Sequence, residues 1–407
     1  MTLGSFLREN APFLAAGALL TFCSSFGQTF LISVFAGEIR ATFGLTHGQW
    51  GGIYTLGTFA SAATMLWAGV LADRYRARTL GIAVVSLLAA ACLLMASVPG
   101  AWLLPVAVYA LRLFGQGMAS HIAIVAMARW FSCARGRALS IAGVGYAIGE
   151  AFLPVAIVAA LSAAPWRALW IVFAAFLLAT LPLLTRLLRM ERTPKSLAEE
   201  TLATGMLDRH WTRGESLSHW LFWFVAPSIL APSAFTTAFF FQQVHLAETK
   251  GWTHAGLAAT FPLFTFAGIL TAVGSGFAID RFGTARLMPI YQLPMAIGFV
   301  VVGAADSLAV AGLGVMLMGL GQGANSTLPN AFWAEFYGTR HLGAIKALAT
   351  AVMVLGSALG PGITGWLIDA GVAFENQMVW IAAYFILSST LVAVGVGRAR
   401  RMLPSPA

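Results

Sequence analysis

Long apolar stretches separated by short charged breaks run through the whole chain. They fall at about 11–36, 48–72, 79–98, 102–128, 138–163, 167–187, 219–246, 254–279, 287–304, 307–332, 344–368 and 377–397. A hydrocarbon core of about 30 Å needs about 20 apolar residues per helix. An unpaired backbone cannot sit in lipid, so runs of this length predict helices. The pattern predicts an all-α membrane protein with 12 transmembrane helices.

The one long polar segment, MERTPKSLAEETLATGMLDRHWTRGE, lies between the sixth and seventh stretches. It divides the chain into an N-terminal six-helix bundle (1–187), a linker (188–218) and a C-terminal six-helix bundle (219–407). The linker carries Pro194 and a candidate surface helix near 196–206. The 407 residues are 59% hydrophobic and 10% charged. Soluble domains carry about a quarter charged residues, which excludes a soluble enzyme, a disordered chain and a nucleic-acid binder. The net charge of +9 is spread along the chain and forms no single basic face.

The 24 Lys and Arg set the orientation. With the N-terminus inside, 20 fall on the cytoplasmic side, including Arg74, Arg76, Arg78, Arg281 and Arg286. Three, Arg40, Arg167 and Lys250, fall outside, and Arg112 lies within a span. Both termini are therefore expected in the cytoplasm. The stretch 12–36 is too long for a signal peptide and reads as the first span. Cys23, Cys92 and Cys133 have no paired spacing, so neither a disulfide nor a metal site is expected.

The two halves repeat. GVLADRYRAR follows the second span and GFAIDRFGTAR the eighth, and Gly69, Asp73 and Arg74 stand 207 residues before Gly276, Asp280 and Arg281. Gly-Gln-Gly recurs at 115–117 and 321–323, an offset of 206. Gly149 precedes Pro154 by five, as Gly356 precedes Pro361, again at an offset of 207. Internal repeats of membrane spans point to transporters.

With its G-x-x-x-D-R motif in both halves, and Arg112-Leu-Phe-Gly-Gln-Gly117 in the fourth span, the chain resembles the major facilitator superfamily over essentially its whole length. WFSCARGRALSIAG and FFFQQVHLAETKGW resemble its monocarboxylate- and oxalate-transporter-like branch. The resemblance implies two pseudo-symmetric halves that rock to alternate access, around a cavity between spans one, four, seven and ten. That branch places cations in the C-terminal half of the cavity. Here the eighth span carries no charge, and Lys346 stands at the start of the eleventh.

Candidate chemistry lies inside the membrane, where an ionisable residue is costly. Arg112 is 17 residues from Arg129, roughly 26 Å deep, and Glu150 is 13 from Arg137, roughly 20 Å deep. On antiparallel neighbouring helices the two could pair. Glu150 is the candidate proton carrier, with Arg112 setting its proton affinity or binding an anionic solute; a static ion pair is the plainer reading. His121 is a candidate proton relay or a packing residue. Gln28, Gln242, Gln322 and Asn325 are candidate solute contacts, since amides at lipid depth must face protein or water; interhelical hydrogen bonding is the alternative. Gly69, Asp73, Arg74, Gly276, Asp280 and Arg281 are candidate gating residues. Each glycine would admit a neighbouring helix, and each carboxylate would hold one conformation. Phe239, Phe240 and Phe241 fan around their helix and face lipid or packing. Trp102, Trp166, Trp252 and Trp366 read as interface anchors.

The sequence has no nucleotide-binding loop, catalytic triad or metal cluster, so no enzymatic activity and no cofactor are expected. The reading is a monomeric, multi-pass cell-membrane protein that moves a small organic anion, such as a carboxylate, with a proton. Proton-driven efflux of drug-like or metabolite compounds is the alternative. A non-transporting sensor on a transporter fold is the rival from another class.

Overall fold

The computed structural model describes residues 3–69, 71–131, 135–189 and 204–403, and among these it is helical throughout. Two compact units divide the chain, Met1–Glu199 and Glu200–Ala407. Cys133 and most of the expected linker helix lie outside the described residues, as do the side chains of Asp73 and Arg74.

In the first unit, α1 (Leu3–Ser24) is followed by a break, a short α2 (Thr29–Ile32) and α3 (Ala36–Phe43). The two arms of this expected first span meet at 46°. Ser24, Ser25 and Gly27 adjoin the break, and Gly/Ser pairs are a common cause of helix kinks. Gly44 ends α3 in the left-handed conformation, φ 64°, which costs glycine nothing. The next helix, α4 (His47–Ala68), starts at a reciprocal capping box between Thr46 and Gln49. Then come α5 (Ala77–Ser97), α6 (Leu104–Leu111), a π-helical stretch Arg112–Ala119, α7 (Ser120–Trp130), α8 (Arg135–Leu161) and α9 (Trp166–Leu187).

The second unit contains α10 (Arg213–Ser218), α11 (Trp220–Phe241), α12 (Gln243–Thr249), α13 (Phe261–Phe282), α14 (Leu293–Ala304), α15 (Leu308–Tyr337), α16 (Leu342–Asp369) and α17 (Phe374–Ala399). Among the described residues, nine helices are long and apolar enough to cross a membrane, ten if the bent first pair is one span. Two of the twelve expected stretches do not meet that measure. One, α4, has 22 residues but carries His47, Gln49 and a run of small and hydroxyl residues. The other, expected over 287–304, is broken by a turn after the short helix Thr284–Leu287 and resumes at Leu293 for 12 residues. Pro289 and Pro294 flank a turn there, and neither offers a backbone N–H to an earlier turn.

The outward surface is strongly apolar. Phe277, Trp380, Trp102, Phe266 and Trp366 are each more than 60% exposed, as lipid contact requires. Trp166 departs from its expected anchoring role. It is buried, its indole N–H donates to Thr42 Oγ1 at 3.2 Å, and Arg167 sits 4.9 Å from its ring centroid. Phe239, Phe240 and Phe241 all turn into protein rather than lipid. Phe239 and Phe240 pack on Phe261, Phe264 and Phe299.

Residues 204–218, expected as linker, pack onto the second unit. Trp211 is 3% exposed; its backbone N–H donates to Tyr337 O at 3.0 Å and its indole N–H to Met206 O at 3.1 Å. Tyr337 ends α15, so Trp211 satisfies one of the carbonyls left over at that helix end.

Candidate functional site

The break in the first span builds the site. Gln28 takes an extended backbone, φ −85° and ψ 154°. The N–H of Leu31, which would serve Gly27 in a continuous helix, donates to Gln28 O instead. Arg112 reaches the Gly27 carbonyl from the neighbouring helix: Nη1 donates to Gly27 O at 3.4 Å and to Thr29 Oγ1 at 3.2 Å. Its guanidinium lies 5.4 Å from the Tyr54 ring centroid, and the Tyr54 hydroxyl bonds to Thr29 Oγ1. Arg112 is 1% exposed.

Glycine lets the two helices come this close. A Cβ on Gly27 would stand 2.0 Å from Leu111 O, and one on Gly115 would stand 2.5 Å from Gly27 Cα. Arg112 opens the π-helical stretch, an irregularity frequent at functional sites.

Glu150 lies on α8, is 8% exposed, and accepts a hydrogen bond from the Tyr146 hydroxyl at 3.0 Å. The Tyr146 ring packs edge-on against Phe30, just past the break, at 5.7 Å. Arg112 bonds to Gly27 and Thr29 at the same break, so the two ionisable residues expected to meet both border it, Glu150 by way of Tyr146. Pro154 removes the N–H that would serve the Glu150 carbonyl.

His121 is drawn to the loop motif: its Nε2 lies 3.2 Å from Gly69 O. In the second unit, Asp280 and Arg281 are exposed, and Arg281 sits 5.5 Å from the Phe282 ring centroid. The expected close approach at Gly276 is absent, since a Cβ there meets no atom within 4 Å. The approach occurs instead at Gly319, against Phe264 O, and at Gly323, against Gly268 O. Beside the motif, the Thr284 hydroxyl donates to Glu335.

The amides divide. Gln242 sits at the junction of α11 and α12, where its Nε2 donates to Pro361 O at 3.4 Å and Thr364 Oγ1 at 3.2 Å. This is the interhelical bonding weighed as its alternative role. Gln28 is buried at the break itself. Asn325 accepts from the Tyr291 hydroxyl at 3.4 Å, and the Gln322 Oε1 is buried with no hydrogen-bond partner among the described residues.

Sequence reasoning missed the tyrosines. Tyr54 and Tyr146 complete the first cluster; the spacing of Tyr146 and Glu150, four residues apart on one helix face, was a usable signal. It also missed a neutral cluster in the second unit. Pro232 frees the Ser228 carbonyl, which accepts from Tyr291 Oη at 3.2 Å and from Gln292 Nε2. Ser388 Oγ in turn donates to Gln292 Oε1 at 2.9 Å. The charges are not repeated: Ser357, four before Pro361, stands where Glu150 stands before Pro154, and Met318 stands where Arg112 precedes Gly-Gln-Gly.

The family model of the Major Facilitator Superfamily matches residues 17–277 and 228–406. Two crystal structures of a bacterial homologue of the human lysosomal transporter Spinster, both inward-facing, are similar in fold. The unoccupied form has a TM-score of 0.77 and 15% identity over 98% of this chain and 99% of that one. The occupied form has a TM-score of 0.75 and 15% identity over 97% and 98%. A mutant of the nucleoside transporter NupG gives 0.68 and 11% identity over 96% and 100%. A multidrug resistance protein B homologue of Mycobacterium tuberculosis is 30% identical over 146 residues, 36% of this chain. That match spans 27% of the relative's length.

Proposed function

The chain belongs to the major facilitator superfamily of membrane transporters, and from that premise we propose that it moves a small organic anion, such as a carboxylate, together with a proton by alternating access. The observation that carries this reading is a buried guanidinium and a buried carboxyl group that border the same break, Arg112 through Gly27 and Thr29 and Glu150 through Tyr146, whose ring packs on Phe30. An ionised Glu150 offsets the charge of Arg112. A proton on Glu150 removes that offset and leaves Arg112 to attract an anion. Proton and anion then bind together and leave together, so no net charge crosses with a monoanion.

In this reading Arg112 contacts the anionic group, while Gln28, Gln322 and Asn325 serve the rest of the solute. Gln242 joins them by exchanging its bonds to Pro361 and Thr364 of α16 for the solute. His121 relays the proton and meets the carbonyl of Gly69, after the second expected span, where Gly69, Asp73 and Arg74 gate, as Asp280 and Arg281 do in the other half. The protein acts as a monomer in the cell membrane, with both termini cytoplasmic and with no cofactor.

The test is proton flux in sealed proteoliposomes holding a pH dye, under imposed gradients of small carboxylates. Wild type is expected to carry protons with the anion, and Glu150→Gln to lose at least about 90% of that flux. Full coupling in the mutant would remove Glu150 from the mechanism. A second reading is proton-driven efflux of drug-like compounds, favoured by the partial likeness to the multidrug resistance protein B homologue. Proton release driven by such compounds, with none driven by carboxylates, would select it. No solute flux of any kind from folded protein would favour a sensor.

A further inference from the structure

We propose that Thr29 is a positioning residue that competes with the solute for Arg112, so that arrival of an anion releases the break in the first span. The inference rests on the organic-anion reading above and adds how binding is passed to the backbone.

Among its partners in this conformation, Arg112 donates to two neutral acceptors, the Gly27 carbonyl at 3.4 Å and the Thr29 hydroxyl at 3.2 Å. They flank Gln28, one on each side of the break. One guanidinium nitrogen therefore ties the end of one arm to the start of the next. It also supplies the Gly27 carbonyl with a donor that the chain itself diverts, because Leu31 N–H goes to Gln28 O. Tyr54 fixes both partners: its hydroxyl bonds to Thr29 Oγ1 and its ring lies beside the guanidinium. The tie thus joins the first, second and fourth expected spans of one six-helix unit.

A carboxylate is a stronger partner for a guanidinium than a carbonyl or hydroxyl, because charge-assisted hydrogen bonds are shorter and about twice as strong. A solute anion that reaches Arg112 draws Nη1 away from Gly27 and Thr29. The Gly27 carbonyl then lacks a donor in a buried site, which is costly, and the first span rearranges to supply one. Anion binding is thereby opposed by the tie and coupled to its release. Differential binding of this kind is what shifts a two-state equilibrium.

The proposal gives Thr29→Val an unusual signature. Removing the competing hydroxyl makes the anion bind more tightly, while the released state loses its return partner. In proteoliposomes loaded against oxalate or lactate, KM is expected to fall about tenfold and kcat to fall with it. Thr29→Ser keeps the hydroxyl and is expected to restore KM towards wild type. Tyr54→Phe keeps the ring but loses the bond to Thr29, and is expected to give a smaller fall in KM. A purely structural Thr29 predicts the opposite: KM unchanged or raised in Thr29→Val.

KM unchanged or raised in both Thr29→Val and Tyr54→Phe overturns the proposal. If Thr29→Val does not assemble, Tyr54→Phe alone decides by the direction of its KM. Flux of neither oxalate nor lactate in wild type overturns the organic-anion reading and this inference with it. Flux in wild type with a raised KM in the variants overturns this inference alone.

Discussion

Gly27 and Gly115 bring the backbones of the first and fourth expected spans into contact, and a methyl group cannot enter there without displacing backbone. Gly27→Ala is expected to destabilise the protein by about 1–3 kcal/mol, the usual cost of overpacking. Gly143→Ala makes a control, since a Cβ at Gly143 meets nothing within 4 Å. It is expected to be neutral or stabilising by up to about 1 kcal/mol from helix propensity. Unfolding midpoints in detergent check both. At this scale the sequence already marked Arg112 and Glu150, because charge inside an apolar run is conspicuous. It did not mark Tyr54, Thr29 and Tyr146 as their partners. Hydroxyl groups are common in membrane helices, and only the path of the chain tells which of them share a site.

Among the elements, four of the interior prolines have a common consequence. Pro154, Pro232, Pro329 and Pro361 each follow by four residues a polar one, namely Glu150, Ser228, Asn325 and Ser357. Each proline denies that residue's carbonyl its helical donor. Sequence predicts the kinks; the tertiary structure supplies the replacement donors, as Tyr291 and Gln292 do for Ser228. The segment 204–218 belongs to the same scale. Its polar composition reads as linker, yet Trp211 and Met206 are buried against the helix ends of the second unit. Trp211→Ala is expected to free this segment and to raise the rate of tryptic cleavage at Arg209 and Arg213 about tenfold, since cleavage follows local opening. Limited proteolysis followed by mass spectrometry reads this. Cleavage at the wild-type rate would mean that Trp211 does not hold the segment.

On the scale of the whole molecule, the repeat is visible in backbone landmarks and broken in charge. The loop motif, the Gly-Gln-Gly and the Gly–Pro pair recur, while Arg112 and Glu150 are matched by Met318 and Ser357. The proposed proton and anion chemistry therefore rests on one half, while the buried cluster around Ser228 and Gln292 in the other is neutral. The topology makes a prediction here. Single cysteines placed at Arg40, Arg167 or Lys250, in a chain otherwise free of cysteine, are expected to react with an impermeant maleimide in intact cells. A cysteine at Arg281 is expected to react only after permeabilisation. The reverse pattern would invert the orientation read from Lys and Arg.

What the sequence determined by itself is the class of molecule. Apolar runs of helical length have no other solution in lipid, and repeated glycine, proline and charged landmarks revealed two like halves. It also singled out the buried ionisable residues, because their cost is a property of composition. What only the tertiary structure decided is who meets whom. It decided that the first span breaks at Gln28, because Arg112 on another helix takes over the carbonyl left behind. It decided that His121 goes to Gly69 and that Gln242 goes to α16. Such contacts depend on helix rotation and approach, which side chains far apart in the chain fix jointly, and no local pattern records them.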